Sequence, residues 1–263
     1  MAIRVGVFGA AGRMGSTVCA AVAADPDLIL VAAVDPLHAG IDLGTVADVG
    51  RIDLQIARTV EAMGAAAVDV AIDFTHIDAA RINLDWLAAN GVHAVVGTSG
   101  FTEADIARYR SAFTTSNCLI APNFAISAVL MMRFAELAAP YFDTAEVIEL
   151  HHDQKIDAPS GTAMMTLERM AAASSAWAPD PTEREVVPGA RGGEGPGGIR
   201  VHSVRLRGLV AHQEVILGAA GQSLTLRQDS YDRSSFMPGV LLGAKRIAAA
   251  DGVTVGLDRL LDV

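Results

Sequence analysis

Three glycines, Gly9, Gly12 and Gly15, constrain this chain more than any other feature. They follow a β-branched run, Ile3–Phe8, and open a helical pattern over residues 12–24 that Asp25-Pro26 stops. Glycine permits a tight strand-to-helix turn and lets another molecule approach the backbone closely. The helix N-terminus then offers unpaired N–H groups to an anion. Gly9-Ala10-Ala11-Gly12-Arg13-Met14-Gly15 is thus a G-x-x-G-x-x-G turn, and its place after a first strand predicts that it cradles the diphosphate of a dinucleotide.

The pattern that follows supports a layered α/β unit. Further apolar runs occur at residues 28–34, 68–73, 92–96 and 118–121, with a helical stretch at 78–89 closed by Asn90-Gly91. Strands alternating with helices imply a parallel, doubly wound sheet of Rossmann type. The second half reads differently. A helix over 124–139, a strand over 145–151 and a helix over 160–173 capped by Ser160 precede a Pro/Gly-rich loop at 177–198. Three strand-like runs follow, at 199–207, 210–217 and 223–228. Their connections, through Gly208 and through residues 218–221, read as antiparallel hairpins. A final helix covers 237–250. The predicted organisation is a dinucleotide-binding domain over 1–123, completed by 233–263, and an α+β domain over 124–232, mainly antiparallel, for substrate binding and oligomerisation.

Composition narrows the function. Of 263 residues 51% are hydrophobic, enough for a core without disulfides. The net charge of −10 argues against nucleic acid and anionic membranes as partners, so an anionic substrate must be drawn by a local cationic cluster. Cys19 and Cys118 lie in apolar surroundings and read as buried. No apolar run approaches the roughly 20 residues of a membrane span, and no secretory signal is evident, so the expected location is the cytoplasm.

Asp35 ends the second strand, where a carboxylate can accept the adenosine ribose hydroxyls and repel a 2′-phosphate. Pro36 adds no positive charge, which favours NADH, with NADPH possible should Arg13 reach the phosphate. At other strand ends stand Asp73-Phe74-Thr75, then Gly97, Thr98 and Ser99, then Ala121, Pro122, Asn123 and Phe124. In open α/β sheets this edge binds ligands.

The segment from Glu149 to Ala163 carries the chemistry. His151, His152 and Lys155 supply three donors within five residues, and Ser160, Gly161 and Thr162 open a helix. Such an arrangement can hold two carboxylates and deliver a proton. No metal is expected: no third His or Cys stands at a useful spacing, and Glu149 is read as turned to a neighbouring position.

The same segment meets the pattern E-x-H-H-x-x-K-x-D-A-P-S-G-T-A without a gap and resembles the signature of the dihydrodipicolinate reductase family. Val5-Gly-Val-Phe-Gly-Ala-Ala-Gly-Arg-Met-Gly15, Ile72-Asp-Phe-Thr75, Val96-Gly-Thr-Ser-Gly100 and Ala121-Pro-Asn-Phe124 are similar to that family too. The stretch 201–243, with Val210-Ala-His-Gln-Glu-Val215, is most like its actinobacterial branch. The resemblance implies reduction of the dehydrated form of 4-hydroxy-tetrahydrodipicolinate with NADH or NADPH, on the diaminopimelate route to lysine. It marks His151 and Lys155 as the acid/base pair, and His152, Gly161 and Thr162 as substrate contacts. The cofactor contacts become Gly9 to Met14, Asp35, Gly97 to Ser99 and Ala121 to Phe124. It also implies a homotetramer. Two departures, Pro36 in place of a basic residue and Ala11 where some relatives have lysine, count against strong NADPH use. Another two-domain dehydrogenase would share the glycine turn without needing the His-His-x-x-Lys block. A non-catalytic dinucleotide sensor would keep the turn and Asp35 but tolerate loss of Lys155.

Overall fold

A computed structural model describes residues 2–47, 50 and 52–261. Residues 1, 48, 49, 51, 262 and 263, all assigned above to the first domain, lie outside the described residues. The chain forms two units, Met1–Phe124 with Phe236–Val263, and Ala125–Ser235.

The first unit is built on strands β1 (Ile3–Phe8), β2 (Leu28–Val34), β3 (Val70–Asp73), β4 (His93–Val96) and β5 (Cys118–Ile120), with helices α1 (Arg13–Ala24), α2 (Leu43–Ala47), α3 (Glu61–Ala65), α4 (Ile77–Ala89) and α5 (Glu103–Ala112) between them. The six-stranded sheet, completed by β11 (Val253–Val255), has the order β11-β5-β4-β3-β1-β2, with all pairs parallel. Its sixth strand follows helix α8 (Met237–Arg246). The chain winds outward from β1 in both directions, so the strand order reverses beside β1, the point where such sheets bind ligands.

The inner strands β3, β4 and β5 are buried on both faces almost throughout, as parallel strands under two helical layers must be, while the edge strands β2 and β11 keep exposed residues such as Ile29 and Val255. Ala71, Ala94 and Val96 join Leu84, Leu87, Ile106 and Tyr109 in one core cluster. The alternate residue Val95 meets α8, at whose Gly243 a side chain would come within 3.2 Å of it. Helix α4 ends on Gly91, whose φ of +67° only glycine adopts without strain. Thr102 and Asp105 form a reciprocal capping box at α5.

The second unit carries α6 (Ile126–Ala138), β6 (Thr144–His151), α7 (Gly161–Ala173), β7 (Gly193–Glu194), β8 (Arg200–Arg205), β9 (Ala211–Ala219) and β10 (Gln222–Ser230), with sheet order β10-β9-β6-β8-β7. β9 and β10 form the expected hairpin. The expected hairpin between β8 and β9 does not form. β6 lies between them, antiparallel to β9 and parallel to β8. The reason is the crossover: β6 and β8 are joined through α7, which returns the chain in the same direction. The buried face of the sheet brings Val147, Val201 and Val215 into register against the helices. The segment 177–198 is not a featureless loop. It contains β7 and is tied down by Asp180 to Arg200 (2.9 Å) and by Arg191 to Glu146 (2.6 Å).

Candidate active site

In the first unit, Gly9 adopts φ +66° and the Gly12 N–H donates to its carbonyl oxygen at 2.9 Å, closing the turn. A side chain at Gly15 would run into that same carbonyl. Ala10 is buried, Ala11 and Met14 are half-buried, and Gly12 and Arg13 are exposed. Helix α1 starts at Gly12 with no side-chain cap, unlike α4, α5 and α7. Its first N–H groups are therefore left for an external acceptor.

Asp35 is buried beside this turn. Its Oδ2 accepts the Ala11 N–H at 3.3 Å, while Oδ1 takes the Leu37 N–H at 3.1 Å and His38 Nδ1 at 3.0 Å. Each carboxylate oxygen can take two donors, so Oδ2 keeps capacity for a hydroxyl. A cavity of about 730 Å³ opens here, lined by Gly9, Asp35, Pro36, Arg58, Thr75 and His76 among others. That volume suits a nucleoside.

Thr98 is buried, and its hydroxyl is committed to Asp73 Oδ1 at 2.9 Å; Thr75 and Asn83 hold the same carboxylate. Thr98 can thus serve a ligand through its backbone, while Ser99 is exposed. Gly97 lies under the Phe74 ring with no room for a side chain, and Phe74 packs on Phe124 at 5.7 Å. Ala121 and Phe124 are buried, Pro122 exposed and Asn123 half-buried. Together the glycine turn, the uncapped helix and the cavity at Asp35 fit a dinucleotide.

In the second unit, the centre is Glu149, which is fully buried. It does not turn away, as its sequence position suggested, because residues two apart on a strand share a face. Its Oε2 receives His151 Nδ1 at 2.5 Å and Arg205 Nη1 at 2.9 Å; its Oε1 receives Arg205 Nη2 at 2.7 Å and the Ser160 N–H at 3.3 Å. Burial pushes the Glu149 carboxyl up, but Arg205, Ser203 and His151 outweigh it and hold the group below the usual carboxylate range. Burial pushes the His151 imidazole below its ordinary value, against the pull of Glu149. With Nδ1–H donated to Glu149, the neutral ring presents Nε2 as an acceptor.

His152 accepts the Gln154 N–H on its Nδ1 at 3.2 Å, which leaves the neutral ring an Nε2–H to donate. Lys155 Nζ reaches both oxygens of Asp157 at 2.8 Å. Ser160 caps α7 by accepting the Ala163 N–H at 3.2 Å. Gly161 faces open space and Thr162 is half-buried behind it. Arg205 was not visible in the sequence. It lies 56 residues from Glu149 and arrives only because β8 pairs with β6, His151 opposite Arg205. Among the described residues no group of three or more His, Cys, Asp or Glu is placed to hold a metal ion.

Fold and site define a class, an oxidoreductase with a Rossmann-type dinucleotide-binding unit. Family models for the N-terminus and C-terminus of dihydrodipicolinate reductase match residues 3–124 and 127–261. The chain is 50% identical to the 4-hydroxy-tetrahydrodipicolinate reductase of Nocardia farcinica over 270 residues, covering 100% of both chains. It is 51% identical to that of Thermobifida fusca, covering 98% of this chain and 99% of the relative. A dipicolinate-bound dihydrodipicolinate reductase from Paenisporosarcina sp. TG-14 superposes with a TM-score of 0.88 at 39% identity, covering 98% of this chain and 99% of that one. The chain belongs to the dihydrodipicolinate reductase family.

Proposed function

We propose that this protein reduces the dehydrated form of 4-hydroxy-tetrahydrodipicolinate to tetrahydrodipicolinate with NAD(P)H, in the diaminopimelate route to lysine. The observation that carries the reading is the His151–Glu149–Arg205 network beside Lys155 at the start of α7, in a chain half identical to such reductases along its whole length. In the division of labour we infer, Met1–Phe124 with Phe236–Val263 holds the dinucleotide and Ala125–Ser235 the substrate.

When bound, the reduced nicotinamide supplies a hydride to an electron-poor ring carbon. Gly9, Ala10, Ala11, Gly12, Arg13 and Met14 hold the diphosphate. Asp35 accepts ribose hydroxyls. Gly97, Thr98, Ser99, Ala121, Pro122, Asn123 and Phe124 line the nicotinamide end. His152 Nε2–H, Gly161 and Thr162 bind the substrate carboxylates.

As the ring carbon gains the hydride, negative charge moves toward the ring nitrogen and must be met by a proton. Lys155 supplies it. His151 is neutral near pH 7 with its proton held by Glu149, so its Nε2 accepts rather than donates in the free protein. Its role is to take a hydrogen bond from the substrate or from the lysine. Asp35 followed by Pro36 favours NADH. The assembly proposed is a homotetramer in the cytoplasm; among the described residues no helix is long and apolar enough to cross a membrane.

The test is reduced-nicotinamide oxidation with substrate generated in place from pyruvate and aspartate semialdehyde by a coupled synthase. Rapid oxidation that needs the synthase product is expected. Lys155→Ala and His151→Ala should each lower turnover by roughly 10²–10⁴. Unchanged turnover in both would sink the assignment.

A further inference from the structure

Pro36 leaves the position after Asp35 without a cation, and a different part of the chain provides one. We propose that Arg58 is the 2′-phosphate-binding residue of this protein, so that NADPH is bound as well as NADH. The proposal rests on the cofactor reading of the first unit.

The placement comes from the backbone. Residues 55–58 run beside the end of β2, where Val34 and Ala57 form an isolated parallel bridge. The Ala57 N–H donates to the Ala33 carbonyl at 2.8 Å, and the Asp35 N–H donates to the Ala57 carbonyl at 3.0 Å. This tie sets residue 58 one step past the bridge, at the same edge as Asp35 and Pro36. Arg58 is exposed and lines the cavity of about 730 Å³ together with both. It is the one Arg or Lys among the lining residues. The other nearby bases are engaged: His76 Nδ1 accepts the Ala79 N–H that caps α4, and His38 Nδ1 binds Asp35.

A ribose seated on Asp35 Oδ2 would carry its 2′-phosphate within a bond or two of that carboxylate. The phosphate dianion and the carboxylate repel each other, and in this cavity the Glu61 carboxylate adds to the repulsion. A cation must offset this for NADPH to be held. The guanidinium is permanently charged, and its planar fork matches a phosphate through two parallel hydrogen bonds. Arg13, by contrast, opens α1 at the glycine turn, where the diphosphate is placed.

The experiment measures Kd for NADPH and for NADH by fluorescence titration on the wild type, Arg58→Ala and Arg58→Lys. The expected result is that Arg58→Ala raises the ratio of the NADPH Kd to the NADH Kd by roughly ten- to a hundredfold, the worth of a charge-assisted contact, and that Arg58→Lys restores part of it. The ratio in the wild type should also rise with salt more than in Arg58→Ala. An unchanged ratio in Arg58→Ala overturns the proposal, as does a wild type that binds NADH but not NADPH. Equal weakening of both cofactors overturns it too, and would make Arg58 a partner of the shared adenosine. A wild type that binds neither cofactor would instead remove the cofactor reading, and the proposal with it.

Discussion

At the scale of single residues, Glu149 decides how the candidate site is held. One buried carboxylate takes hydrogen bonds from a histidine, from both arms of an arginine, from the Ser203 side chain and from the N–H that precedes α7. Removing it leaves a mostly buried guanidinium without its counter-charge, held only by the Val204 and Asp157 carbonyls, so Glu149→Ala should lower unfolding free energy by about 3 kcal/mol in a denaturant titration. A loss under about 1 kcal/mol would show that Arg205 finds water instead. His151 adds a pH term. Its folded value lies below the unfolded value, so between the two the unfolded chain binds more protons. Stability should therefore fall as pH drops from about 6.5 toward the folded value, and stay level below it. In His151→Gln that part of the decline should vanish when unfolding midpoints are compared from pH 7 to pH 5. The contiguous block from Glu149 to Thr162 was legible because its neighbours in sequence are neighbours in space. Arg205 and Arg58 were not, because strand pairing brings them in, and no spacing rule encodes a pairing partner.

At the scale of elements, the same distinction runs through the fold. Helices were readable where local chemistry marks their ends: Ser160 accepts the Ala163 N–H at α7, and Asn90-Gly91 closes α4. The parallel strands were readable from their apolar runs. The order of β8, β6 and β9 was not, since Gly208 suits a tight hairpin and a turn that passes over the end of an intervening strand equally, and only the β6–α7–β8 crossover puts β6 in between. Two substitutions test the elements that shape the proposed sites. A side chain at Gly15 meets the Gly9 carbonyl, so Gly15→Ala should open the turn and weaken NADH binding roughly tenfold or more, about 1.4 kcal/mol. Ser160→Ala removes the cap of α7 and should cost about 1 kcal/mol of stability, read by thermal or chemical unfolding. It should also raise KM for the dicarboxylate if Gly161 and Thr162 hold it.

At the scale of the whole molecule, residues 236–261 matter beyond their number. α8 lies against β3 and β4, β11 covers the edge of β5, and Leu257 and Leu260 are buried. Deleting everything after residue 251 would expose the β5 edge and lose both leucines, roughly 3–6 kcal/mol at 1.5–3 kcal/mol each. The truncated chain should unfold early or aggregate, and light scattering during heating would show it. The segment between the two parts of the first unit is a continuous stretch, Ala125–Ser235, with its own sheet and helices. On the ribosome this has an order of events built into it. The inserted unit precedes β11 in the chain, so it can fold while β1 to β5 still lack their sixth strand. Until β11 joins, the nascent chain carries a finished inserted unit and, in the first unit, an open edge at β5, which is the interval in which a chaperone would be most useful to it.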